Sequence, residues 1–344
     1  MKIGKKVFGI LLIITSIVVS AFFIPWSLLI MKISPLQDTI QEDLDLVTSK
    51  HSIDGVIVYV DQGGAVSMYA SGYNDRDAKI EASPDDLFKI ASISKLYMAV
   101  AATMLIENGT LDVDETLANM LPQYENSIEN ADAITLRMLI QHRSGIPNFV
   151  DDPDFPWENL PTNVDDVLNL VLGDKADFEP DAKYQYSNTN YLLLAKIMDK
   201  ALGYPHDIYI KENILIPLNL NNTFYYYDEV DPLRVMSGYF VGYEYDLKPN
   251  DHITPGGTMI ASIEDVGIFI RALNDGSLLT DTQQTLYTEL YAYEHTGLLP
   301  GYQSIARYNK EEDRVIIVFT NTSGEDSWGR IETIYNRVER ITNK

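Results

Sequence analysis

The chain has 344 residues, 46% of them apolar and 22% charged, a composition sufficient for one large folded domain or two small ones. It contains no cysteine, which excludes a disulfide framework, thiolate metal sites and a cysteine nucleophile. Its 26 basic and 50 acidic residues leave a net charge of −24, which repels phosphate polyanions and argues against nucleic acid as a partner.

Lys2, Lys5 and Lys6 precede an uncharged apolar run from Val7 to Met31. At about 1.5 Å per residue, a helix of that length crosses a hydrocarbon core of about 30 Å. The three lysines favour a cytoplasmic N-terminus, which puts the rest of the chain outside. The competing reading is a signal peptide cleaved near Val19-Ser20-Ala21, leaving a secreted protein. The apolar run continues past that point through Phe22, Ile24, Trp26, Leu28 and Ile30. A single-pass membrane anchor over residues 1–35 is therefore expected, with residues 36–344 as one extracytoplasmic domain.

Pro35 ends the anchor, and Ile40, Leu44 and Val47 give helical spacing within 36–50. Gly55 to Val60 reads as a buried strand, and Ala65 to Ser71 as its hairpin partner across Asp61-Gln-Gly-Gly64. Ser83-Pro84 is a helix-start signal, and a long apolar helix is predicted from about Ser92 to Asn108, ended by Gly109. Residues 110–254 are rich in helix and loop signals. Within them, 147–185 is acidic and proline-punctuated, and 224–245 is dense in tyrosine. Ile263 to Leu273 reads as a helix, Tyr302 to Tyr308 and Val315 to Asn321 as paired strands, and Ile331 to Ile341 as an amphipathic closing helix. Strands at both ends with helices between predict an α/β fold. Its antiparallel sheet is flanked by helices, beside a mostly helical subdomain at about 110–254.

The residues that carry chemistry form an ordered series. Ser92-Ile-Ser-Lys95 puts a hydroxyl and an amine on one helix face, which is what a serine nucleophile needs of its base. Leu139-Ile-Gln-His-Arg-Ser-Gly-Ile-Pro147, Tyr186-Ser-Asn188 and His295-Thr-Gly297 follow. Each residue has a plainer reading when taken alone: Ser92 as a helix cap, Lys95 as a surface lysine, Tyr186 as one of 22 tyrosines. Their order is what gives them weight. Tyr124-Glu-Asn126 repeats the second pattern but lies too early and lacks the continuation after Asn188.

In these elements the chain resembles the serine penicillin-recognising enzymes: class C β-lactamases, serine D-Ala-D-Ala carboxypeptidases and related esterases. The family pattern is S-x-x-K, then Y-x-N, then [KH]-[ST]-G, a sister of the better-known set with S-D-N and K-T-G. Pro217-Leu218, Thr223, Gly256-Gly257, Ser262 and Asp265 fit as well, so that the resemblance covers about residues 40–340.

The resemblance implies roles. Ser92 attacks a carbonyl and forms an acyl-enzyme, with its own backbone N–H and that of Leu298 as oxyanion donors. Lys95 is the base, or the group that holds Tyr186 as a phenolate; both assignments remain open at this point. Asn188 bonds Lys95 or the substrate, His295 and Thr296 face the leaving side or a substrate carboxylate, and Gly297 lets a substrate backbone approach. His142 is expected to be structural, and Arg143, in place of a usual threonine, to alter only local packing. No cofactor or metal is implied.

The expected activity is serine hydrolysis of D-alanyl peptide or ester groups of the cell envelope. The partners are a peptidoglycan peptide or a D-alanylated envelope polymer, with β-lactams as possible acylating ligands. His295, where many β-lactamases carry lysine, places β-lactamase activity second. A penicillin-binding pseudo-enzyme with a sensing role is the rival from another class.

Overall fold

A computed structural model describes residues 25–51 and 53–344, together with residues 4, 9, 10, 12, 13, 15, 16 and 19. Of the expected span over Val7–Met31, residues 7, 8, 11, 14, 17, 18 and 20–24 lie outside the described residues. Among the described residues, no helix is long and apolar enough to cross a membrane.

The end of the apolar run forms helix α1 (Trp26–Ile33), which lies against the folded domain and buries Met31. Helix α2 (Ile40–Lys50) starts where its apolar spacing starts, because Thr39 and Glu42 form a capping box that sets its first turn. Its Ile40, Leu44 and Val47 turn inward, as their spacing requires.

The main sheet has six antiparallel strands in the order β3-β2-β1-β10-β9-β8. From the N-terminal part of the chain come β1 (Gly55–Gln62), β2 (Ala65–Asp75) and β3 (Ile80–Glu81). From the C-terminal part come β8 (His295–Leu299), β9 (Tyr302–Asn309) and β10 (Arg314–Thr320). Between them, β4 (Phe88–Lys89), β5 (Thr223–Phe224) and β7 (Ile260–Ala261) make a small second sheet. Strand β6 (Tyr239–Phe240) pairs with β11 (Thr322–Ser323).

Strand β1 shows why the sheet is covered on both faces. Its Val56, Val58 and Val60 join the core under α2, while Ile57 and Tyr59 join the larger core on the opposite face. Alternation sends successive side chains to opposite sides, so a continuous apolar run demands two cover layers. The central helix α3 (Ser94–Glu107) belongs to the larger core and is apolar almost all round. Leu96, Met98 and Val100 are fully buried there, each contributing about 1.5–3 kcal/mol.

Further helices are α4 (Leu136–Ile140), α5 (Thr189–Leu202), α6 (Ile263–Asp275), α7 (Asp281–Leu290) and α8 (Ser327–Thr342). One expectation needs correction. Ser83-Pro84 opens a turn and not a helix: the Asp86 carboxylate accepts the Ser83 N–H at 2.8 Å, and the chain passes at once into β4. His295-Thr-Gly297, to which the spacing assigns no element, opens the edge strand β8.

One buried ion pair ties the N- and C-terminal helices together. Arg337 of α8 makes a fork with the Asp43 carboxylate at 2.6 and 2.7 Å and also donates to the carbonyls of Met31, Ser34 and Pro35. Both partners are almost wholly buried. Replacing Arg337 with methionine leaves Asp43 as an unpaired buried charge, so the variant should lose about 3–5 kcal/mol of stability. A lowered denaturant midpoint, partly restored by adding Asp43→Asn, is the expected reading; an unchanged midpoint would show the clamp to be dispensable.

Candidate active site

Ser92 sits in a single 3₁₀ turn, Ala91–Ile93, that feeds directly into α3. Ala91 has φ of 51°, a left-handed conformation that costs a non-glycine residue about 1–2 kcal/mol. Surrounding bonds hold it there. The Ser94 hydroxyl donates to the Ala91 carbonyl at 2.6 Å and accepts the Met259 N–H at 3.3 Å. The strained turn lifts the Ser92 side chain out of the helix body, where it is only half-buried.

Lys95 lies one helical turn on and is 1% exposed. Its ammonium group donates to Ser92 Oγ at 3.2 Å, Asn188 Oδ1 at 2.9 Å and the Gly256 carbonyl at 2.8 Å. These partners are neutral, so nothing offsets the desolvation of the charged form. Burial pulls the Lys95 pKa from its ordinary 10.5 down to about 7.

Tyr186 donates its hydroxyl to Ser92 Oγ at 2.9 Å. Burial pushes its pKa well above the ordinary tyrosine value, and the bond to Ser92 opposes that only in part. The segment 141–147 positions this tyrosine. The carbonyls of His142, Arg143 and Gly145 accept the N–H groups of Gln185, Asp181 and Asp177 at 2.8–2.9 Å. Arg143 adds an ion pair to Asp181, so its role is to fasten the loop before Tyr186. Gly145 has φ of 80°, and a Cβ there would collide with the Phe178 carbonyl. The His142 ring stacks on Tyr186 with centroids 4.3 Å apart, and its Nδ1 accepts the Ser187 N–H at 3.2 Å. Burial, with Lys95 and His295 nearby, pushes the His142 pKa down to about 3 and keeps it neutral. Asn188 is aimed by Asn148, whose Oδ1 accepts both its backbone N–H at 2.9 Å and its Nδ2 at 3.1 Å.

The edge strand β8 brings the third element alongside. Gly297 pairs with Ser304, and Leu298 with Gln303. A Cβ on Gly297 would collide with the Ile90 carbonyl and the Ser304 hydroxyl, so only glycine lets this strand pass so close to the turn that carries Ser92. His295 is half-buried; its Nδ1–H donates to the Thr296 carbonyl at 2.5 Å, and its Nε2 accepts from the Tyr291 hydroxyl at 2.9 Å. Burial and the proximity of Lys95 push its pKa down to about 4. A cleft of about 510 Å³ opens beside Tyr186, His295 and Thr296, with Tyr184, Tyr291 and Arg307 also in its walls.

The structure thus brings Ser92, Lys95, Tyr186 and Asn188 into one hydrogen-bonded cluster, with the strand carrying His295, Thr296, Gly297 and Leu298 beside it. Sequence reasoning missed the Gly256 carbonyl, Asn148 and Tyr291. A carbonyl has no side-chain signature, although the Gly256-Gly257 pair marked the place. Asn148 follows the 139–147 signature directly, and Tyr291 stands four residues before His295, which were the available signals.

The β-lactamase family model matches residues 36–291. The chain belongs to the β-lactamase family. It is a serine hydrolase with the α/β fold of that family. A penicillin-binding protein of Bacillus subtilis is 28% identical over 219 residues, which cover 63% of this chain and 47% of that protein. The chain therefore spans about half the length of that relative. Among solved structures, the D-amino acid amidase from Ochrobactrum anthropi SV3, complexed with L-phenylalanine, superposes with a TM-score of 0.78 at 23% identity, covering 88% of this chain and 98% of that one. A penicillin binding protein from Bacillus halodurans superposes with a TM-score of 0.73 at 20% identity, covering 87% and 98%. At such identities the superpositions speak for the fold.

The fit around Gly297 generates a test. Gly297→Ala must push β8 away from the Ser92 turn, so acylation by a fluorophosphonate should fall on the order of 100-fold, the size of one lost oxyanion donor. Rapid-quench labelling of the folded variant measures it, and a wild-type rate would refute the close-approach argument.

Proposed function

We propose that this serine hydrolase works through an acyl-enzyme on Ser92 and acts on D-alanyl peptide or ester groups of the cell envelope. The observation that carries the proposal is the convergence of Lys95 Nζ and Tyr186 OH on Ser92 Oγ, at 3.2 and 2.9 Å. The sequence likeness to a penicillin-binding protein of Bacillus subtilis supports this reading.

In this reading, Lys95 in its neutral form takes the Ser92 proton as Oγ attacks the carbonyl. A pKa of about 7 leaves a useful fraction of the amine free near neutral pH, whereas Tyr186 stays protonated. Tyr186 then serves as the proton donor beside Oγ, suited to the leaving group. The backbone N–H groups of Ser92 and Leu298 receive the oxyanion, and Asn188 holds the amine in place. Water then releases the acyl group, with proton transfer running in reverse. The lysine-flanked apolar segment at the N-terminus supports an extracytoplasmic domain held at the membrane.

The test incubates wild type and Ser92→Ala with penicillin, a D-Ala-D-Ala peptide and D-alanylated teichoic acid, following intact mass and free D-alanine. Wild type should gain an acyl mass or release D-alanine, and the variant should do neither. Wild type matching the variant in both readouts would sink the proposal and favour a pseudo-enzyme. Turnover of penicillin alone would favour the β-lactamase reading.

A second test follows from the choice of base. An amine base must be neutral to act, so kcat/KM should rise with pH through about 7 and then level off. A pH profile from 5 to 10 on a neutral ester measures this. A rise that begins only near pH 10 would transfer the role to Tyr186.

A further inference from the structure

The hydrogen bonds of His295 leave it unable to do what a cation in the third motif is expected to do. Nδ1 is 2.5 Å from the Thr296 carbonyl, which can only accept, so Nδ1 carries the proton. Nε2 is 2.9 Å from the Tyr291 hydroxyl. Both ring nitrogens are therefore committed to the protein, and neither is left to meet a ligand. Tyr291 is half-buried in the cleft wall, and its ring stacks at 17° on that of His295.

The surroundings of His295 do not restore a positive charge. Lys95, the nearest ammonium, spends its donors on Ser92, Asn188 and Gly256. Tyr186, Tyr291 and His142 are neutral. Among the described residues lining the cleft, Arg307 is the one cationic side chain, and its guanidinium is bound in a fork by Glu332 at 2.9 and 3.2 Å. Glu289 and Glu294 stand in the same walls. A substrate carboxylate entering here would lose its water and find no free cation.

We infer that Tyr291 is a specificity-determining residue: by engaging Nε2 of His295, it removes the third-motif cation from the site, which then selects acyl donors whose leaving group carries no carboxylate. Such donors are D-alanyl esters of uncharged alcohols, or amides, in preference to a C-terminal D-Ala-D-Ala. The inference rests on the acyl-enzyme reading above and narrows it to the ester side.

The test uses the full-length protein and two matched substrates, the glycolate ester of N-acetyl-D-alanine and its glycolamide counterpart, which differ only in a leaving-group carboxylate. Wild type should favour the glycolamide ester at least tenfold in kcat/KM between pH 5.5 and 7.5. Tyr291→Phe frees Nε2 to take a proton, so the preference should narrow several-fold as pH falls to 5.5. His295→Lys should narrow it at every pH, and serves also if Tyr291→Phe fails to fold. A wild-type preference for the carboxylate, or a ratio that neither variant moves, would overturn the inference while leaving the acyl-enzyme reading intact. Failure to turn over either ester, together with an unlabelled Ser92 after fluorophosphonate treatment, would overturn both.

Discussion

The site depends on a lysine buried without a counter-ion. Lys95 reaches three neutral oxygens, from the Ser92 turn, from Asn188 at the start of α5 and from the Gly256 carbonyl. A carboxylate in any of those places would keep the amine charged and useless as a base at neutral pH. The rest of the fold serves to bring those oxygens together without admitting an acid or bulk water. Helix α3 does so by being buried along nearly its whole length, so that Lys95 is immersed in a packed core where most lysines would reach solvent.

The architecture solves a second problem, that of precision. Three stretches far apart in the chain must meet within hydrogen-bonding distance of one hydroxyl. Each is tied down by a different device. A left-handed Ala91, pinned through Ser94 to Met259 just before β7, presents Ser92. Three backbone bonds from the 141–147 segment hold the loop that ends in Tyr186, and Asn148 aims Asn188. The register of β8 on β9 brings Gly297 against the Ser92 turn. Supporting residues therefore matter as much as the reacting ones, since a shift of an ångström removes the geometry that makes the chemistry fast.

A layer of neutral rings sits beside these groups. His142 and His295 are both held uncharged by burial beside Lys95. Two imidazolium ions there would repel the ammonium form of Lys95 and the proton it must receive. The same neutrality that suits the base extends to the cleft, where Arg307 is the cationic side chain among the described lining residues and is forked by Glu332.

Much of this was legible in the chain itself. Strong periodicity located α2, α6, α8 and the β9–β10 hairpin, because burial on one face writes a repeat into the residues. The order of Ser92-x-x-Lys95, Tyr186-x-Asn188 and His295-Thr-Gly297 determined the family and the class of chemistry, since each needs particular side-chain types at fixed spacing. What had no local signature came only with the tertiary structure. Strand β8 is short, glycine-bearing and at the sheet edge, so only its pairing with β9 defines it as a strand. The turn at Ser83 was decided by the Asp86 carboxylate and the demand that the chain enter β4. Which proton acceptor beside Ser92 is free at neutral pH, and whether His295 offers a charge, depend on burial and on partners nearly a hundred residues distant or contributed by a backbone carbonyl. Residue identity sets what a group is able to do, but its pKa and its free hydrogen-bonding sites belong to the packed environment, and only the folded chain supplies that.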